Sequence, residues 1–185
     1  MLKAITVIAL CVTIMACNNN QEPKVEPSTQ DSITSSSEPL KDTLAGFKNC
    51  TINEDYFTQK TARAKLLTDT TIQQLLLTDI EDINRNNSAT IKIVDTLLSS
   101  DIEKFIVVTM EGEAESFAYL VQLKNNKLKQ FEQVYYADVV EYFMSISTVI
   151  TNNKVVITKI TDTDDNKSKE TKTFVLKDGN LQLEK

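Results

Sequence analysis

From residue 89 onward, apolar and polar positions alternate at a period of two, the spacing that sends successive side chains to opposite faces of an extended strand. Eight stretches carry the pattern: 89–97, 104–111, 116–123, 128–136, 142–151, 154–162, 170–177 and 180–184. In the fifth, Tyr142, Met144, Ile146 and Ile150 share one face against Ser145 and Ser147 on the other. Breaks fall near positions 100, 113, 126, 139, 152, 165 and 178, a repeat of about 13 residues that fits a strand plus a tight turn. Asn125-Asn126, Asn152-Asn153 and Asp178-Gly179 supply residues that tolerate the positive φ of short hairpin loops. Parallel strands would need crossovers of about a dozen residues or more, and these turns are too short. The pattern predicts an up-and-down antiparallel meander of about eight strands over residues 89–185.

Ahead of the meander the period lengthens. Tyr56, Phe57, Ala62, Ala64, Leu66 and Leu67 lie among good helix formers, and Thr68 or Asp69 is placed to cap a second short helix carrying Ile72, Leu75 and Leu76. A helical segment is expected near residues 54–78, ended by the Asn-Arg-Asn-Asn-Ser run at 84–88. Its apolar stripes need a surface. The expected fold class is mainly β (α+β): an open curved sheet with this segment packed on its concave face, rather than a closed barrel. Residues 41–185 should form a single β-rich domain.

The first 40 residues belong to neither pattern. Met1-Leu2-Lys3 is followed by an apolar run from Ala4 to Ala16, matching a secretory signal and too short for a spanning helix of about 20 residues. Ile14-Met15-Ala16-Cys17 has the form of a lipobox: an aliphatic residue, a tolerated one, a small one, then the cysteine whose sulfur takes the lipid. Residues 1–16 are expected to be cleaved, leaving Cys17 as the lipidated N-terminus. Two or three acyl chains make a stable anchor where one would not. Residues 17–40 hold all three prolines, Pro23, Pro27 and Pro39, and the run Ser35-Ser36-Ser37. Such a stretch buries too little surface to offset its ordering entropy and reads as a disordered tether.

Composition narrows the chemistry. The net charge is −6, and Arg63 and Arg85 are the only arginines, which argues against nucleic acid as a partner on electrostatic grounds. The same charge leaves membrane attachment to the lipid on Cys17. Histidine is absent, so His-based triads, dyads and zinc sites are excluded. Of three cysteines, Cys11 leaves with the signal and Cys17 is acylated; Cys50 alone remains, more simply a small apolar side chain than a nucleophile.

Three clusters invite a functional reading, each with a plainer one. Asp162-Thr163-Asp164-Asp165-Asn166 begins like a calcium loop, but Lys167 occupies the glycine position and Thr173 that of the bidentate glutamate. Glu111, Glu113 and Glu115, like Asp79, Glu81 and Asp82, read as solvated turns. Tyr135, Tyr136, Tyr142 and Phe143 either line a binding rim or serve as core and cross-strand partners, the second being preferred. No catalytic, cofactor-binding or metal residue is predicted. Cys17 is the one site residue.

The layout of lipobox, Ser/Pro-rich tether, short helical stretch and meander resembles the small uncharacterised lipoproteins of the Bacteroidota, with Ile14-Met15-Ala16-Cys17 as its specific motif. The resemblance implies an envelope location and no assigned activity. Asn18 follows the cysteine in place of the aspartate that marks inner-membrane retention in one sorting system, which favours the outer membrane. The expected function is a non-enzymatic, lipid-tethered binding or assembly module with an envelope protein partner. The alternative is a carrier whose curved sheet encloses a small apolar ligand as lipocalin-like barrels do, although a G-x-W signature is impossible without tryptophan.

Overall fold

The computed structural model describes residues 46–85, 89–112, 115–138, 143–163 and 166–184. The signal, Cys17 and the tether lie outside these residues, as do Glu113, Tyr142, Asp164, Asp165 and positions 86–88.

All eight stretches of alternating pattern are strands, joined by two short ones ahead of them, so the sheet has ten strands against the eight expected. The short ones are β1 (Cys50–Ile52) and β2 (Lys65–Leu66). The meander follows as β3 (Thr90–Ser99), β4 (Glu103–Glu111), β5 (Glu115–Lys124), β6 (Lys127–Asp138), β7 (Met144–Ile150), β8 (Lys154–Thr163), β9 (Asn166–Lys177) and β10 (Asn180–Leu183). Each strand from β3 to β10 pairs antiparallel with its sequence neighbour, β2 pairs with β3, and β1 pairs with β7. The sheet is an open meander.

The hairpin chemistry holds at two of the three Asn or Asp turns. Asn125 and Asn126 have φ of 51° and 58°, and Asp178 and Gly179 have 50° and 73°, the mirror-image geometry that suits strand twist. Asn152 and Asn153 differ from the expectation: neither has positive φ among the described residues. That turn closes through Thr151 N–H to Lys154 C=O at 2.9 Å, and the Asn152 carbonyl accepts Phe47 N–H at 2.7 Å. Its shape is set by the segment entering β1. Gly46 lies so close that a Cβ there would sit 2.2 Å from the Asn152 carbonyl oxygen.

Central strands β4 and β5 are buried on both faces, which divides the core in two. Phe105, Val107, Ala118 and Leu120 point into an inner cluster shared with Val134, Ile146, Ile150, Val155 and Phe174. Ile106, Val108, Met110, Tyr119 and Val121 point the opposite way. The inner cluster joins side chains from both ends of the meander because the sheet curls back on itself. Bulges interrupt the β3–β4 and β5–β6 ladders, and a bulge bends and twists its strand. β7 then leaves β6 after only two paired residues, Tyr136 with Ile146 and Ala137 with Ser145. At the far end of β5, Gln122 Nε2 donates to the Gly179 carbonyl at 2.5 Å.

The segment expected as one helical unit over 54–78 is broken up. It contains α1 (Glu54–Lys60), a 3-10 turn at Thr61–Arg63, strand β2, α2 (Asp69–Gln74) and a second 3-10 turn at Leu77–Asp79; α3 (Glu81–Arg85) follows. Leu66 and Leu67 are extended, with Leu67 N–H donating to the Ile91 carbonyl at 2.9 Å, because the free edge of β3 offers ladder bonds a short helix cannot match. The expected cap is present at Thr68, which accepts from Thr71 N–H, and Asn53, which the sequence reading did not single out, caps α1 by accepting from Tyr56 N–H. The helices also divide between faces. Tyr56 of α1 enters the inner cluster, whereas Ile72, Leu77, Ile80 and Ile83 cover the outer one. The expectation that the whole segment would rest on the concave face is corrected: β4 and β5 have two apolar faces, and each needs a cover.

Candidate functional site

Helix α1 is short, but its two flanks border two separate clefts. One flank carries Tyr56 and Lys60, the other Glu54, Phe57, Thr58 and Thr61. Spacings of three and four residues put each set on one stripe.

On the first flank, Tyr56 donates from its hydroxyl to Asp95 at 3.1 Å, and Lys60 Nζ lies 2.7 Å from the same Oδ2. Asp95 Oδ1 accepts Thr96 N–H at 2.8 Å. Burial opposes ionisation of Asp95, but Lys60, the Thr96 N–H and the Tyr56 hydroxyl outweigh it and hold the carboxyl below its usual range. The Tyr56 hydroxyl is pushed strongly upward, first by burial and then by the Asp95 charge, so it stays protonated. Cys50 lines the same cleft. Burial raises its thiol, Asp95 raises it further, and Lys60 offsets only part of this. These are the electrostatics of an inert thiol.

The second flank forms a half-open cleft of about 370 Å³ against the ends of β4, β5 and β6, within the size range of small-molecule sites. Its floor is aromatic. Phe57 and Tyr135 touch in a tilted contact, with centroids 4.6 Å apart and planes inclined by 51°, and Phe117 lines the same space. Hydroxyls come from Thr58, Thr61, Thr109 and Ser116, and carboxylates from Glu54 and Glu111. Glu111 Oε2 is held by Lys92 at 2.7 Å. Glu54 has no ion pair among the described residues, and no basic side chain is among those lining the cleft. The Tyr135 hydroxyl is raised by burial and then by the Glu54 charge.

The clusters read from the sequence are dispersed. Tyr136 is buried in the core, its hydroxyl donating to Glu115 at 2.9 Å and its ring 5.2 Å from Phe117. Tyr135 lines the cleft, and Phe143 is 45% exposed. Asp162 bonds Lys167 at 2.6 Å, so the residue standing where a calcium loop needs glycine takes the first carboxylate. Asp82, expected in a solvated turn, accepts the Tyr119 hydroxyl and ties α3 to β5. Glu54 and Glu111 share the cleft, but neither is buried. Sequence reading missed the cleft, since Phe57, Thr109, Phe117 and Tyr135 lie on four elements. Cys17 lies outside the described residues. Among the described residues no helix is long and apolar enough to cross a membrane.

Comparison of the chain with protein-family models, with curated proteins and with solved structures gave no match.

Proposed function

We propose that this protein is a lipid-anchored lipoprotein of the bacterial envelope, carried through Cys17, and that its body is a non-enzymatic binding or assembly module. The observation that carries the binding role is the cleft beside α1. It offers an aromatic floor and a carboxylate without an ion-pair partner among the described residues, on a framework held by two packed clusters. The anchor rests on Ile14-Met15-Ala16-Cys17 and the polar tract after it. In this reading residues 17–40 are a tether, the outer membrane is the favoured location, and the partner is another envelope component. The alternative, a carrier of a small apolar ligand, has little room inside the curl, where Phe105, Val107, Leu120, Val134 and Val155 are essentially without exposure.

Metabolic labelling with an alkyne palmitate, combined with membrane fractionation, tests the anchor. Label should enter the native protein and be absent from Cys17→Ser, which should leave the membrane fraction. Membrane retention of the unlabelled variant sinks the anchor. Co-purification from mild-detergent extracts should recover a partner whose yield falls when Glu54 and Tyr135 are replaced. Recovery only as a bare monomer argues against an envelope protein partner.

A further inference from the structure

The cleft between α1 and the ends of β4–β6 has a chemistry specific enough to name its ligand class. Three aromatic rings, Phe57, Phe117 and Tyr135, line a half-open space with two carboxylates and no basic group among its lining residues. The faces of such rings are electron-rich and attract cations, most strongly cations with an apolar coat that are weakly hydrated. An apolar molecule could use the rings but would strip water from the Glu54 carboxylate and bring no charge to offset the loss. An anion would meet the carboxylate of Glu54 with no basic side chain among the lining residues to offset it. The two carboxylates differ in what they have left to give: Glu111 is paired with Lys92 at 2.7 Å, whereas Glu54 has no ion pair among the described residues. Glu54 and Tyr135 border the same space, and the Glu54 charge adds to burial in raising the Tyr135 hydroxyl.

We propose that this cleft binds a small, soluble organic cation, an alkylated ammonium group seated on Phe57 and Tyr135 and neutralised by Glu54. The inference rests on the reading of the body as a binding module and gives that module a ligand class. Phe57 and Tyr135 supply the cation–π face, Phe117 flanks the alkyl groups, and Glu54 supplies the countercharge. Lys92 has a structural part, keeping Glu111 from drawing the ligand to the other rim.

The test uses the full chain, lipidated and purified in a nonionic detergent, titrated with choline and followed by line broadening of the choline methyl signal. The neutral isostere 3,3-dimethylbutan-1-ol should bind about tenfold more weakly, because it loses both the ring and the carboxylate attraction. Glu54→Gln, an exposed substitution whose fold is checked by its circular dichroism, should bring choline down toward the level of the alcohol. Tyr135→Phe should keep binding, since the ring face remains. Ammonium chloride should fail to compete, being small and strongly hydrated. The proposal is overturned if alcohol and choline bind alike, if choline shows no binding through the millimolar range, or if Glu54→Gln is without effect. Tighter binding of glycerophosphocholine than of choline would move the assignment to a lipid headgroup and overturn it as stated. None of these outcomes depends on palmitate labelling or on co-purification of a partner, so failure of the ligand class is told apart from failure of the anchor and from failure to recover a partner.

Discussion

The hydroxyl of Tyr56 donates to Oδ2 of Asp95 across 3.1 Å, joining residues 39 positions apart. Tyr56 is on α1 and Asp95 on β3, so this bond ties the helix to the sheet within the cleft that both residues line. Lys60 shares the same oxygen, but it is 44% exposed and solvent weakens its contribution.

Asp95 therefore makes part of the stability depend on pH. Its carboxyl is held below the usual range in the folded state, so its contribution is complete above the unfolded value of about 4. That contribution is lost as pH falls through the folded value. Asp95→Asn should cost about 1–2 kcal/mol at pH 7, the scale of a hydrogen bond to a charged group. Urea midpoints measured from pH 7 downward should show native and variant converging in acid. A gap that stays constant through that range would contradict this account.

The Cys50 thiol, raised mainly by burial and next by Asp95, should react with iodoacetamide more slowly than free cysteine at pH 8, and at the free rate in denaturing urea. Asp95→Asn should speed the reaction by removing the second cause. Native reactivity equal to free cysteine would show that Cys50 is more accessible than its surroundings indicate.

Leu76 has φ of 59° and ψ of 28°, the left-handed region in which a β-carbon meets the neighbouring carbonyl. Its side chain is 39% exposed, so little packing offsets the cost. Leu76→Gly should raise stability by about 1 kcal/mol, measured as a shift in the thermal or urea midpoint. A loss of stability would mean that the leucine side chain contributes more than its backbone costs.

Gly46→Ala acts in the opposite direction. The added Cβ would meet the Asn152 backbone oxygen at 2.2 Å, and backbone cannot swing aside as a flexible side chain can. The segment before β1 should be displaced, lengthening the Phe47 N–H bond to Asn152 and costing about 1–3 kcal/mol, the usual range for overpacking. Amide exchange at Phe47 reports it directly: exchange as slow as in the native protein would show the segment unmoved.

Gln122 is 1% exposed, donates to Gly179, and leaves its Oε1 without a partner among the described residues. Gln122→Met gives up one hydrogen bond but also removes a buried acceptor that is itself costly. Its urea midpoint should stay within about 1 kcal/mol of the native value. A larger loss would show that the bond to Gly179 holds the end of the curl.

The alternation from residue 89 onward was enough to place eight strands and their antiparallel order, because each strand pairs with its nearest neighbour in sequence and short turns admit no other connection. The residue types at 68 and 69 likewise pointed to the cap that Thr68 supplies to α2. Local chemistry decides such features, so local sequence reveals them. The fate of Leu66 and Leu67 was not local: whether that stretch coils or extends depends on the free edge of β3, which exists only once the sheet has formed. The same holds for the division of the helices between two faces, the shape of the Asn152-Asn153 turn, and the cleft itself. Phe57, Thr109, Phe117 and Tyr135 are scattered through the chain and meet because bulges curl the sheet beneath α1. Strand order was set by connections of a few residues, whereas the binding surface was set by how a curved sheet met its helix.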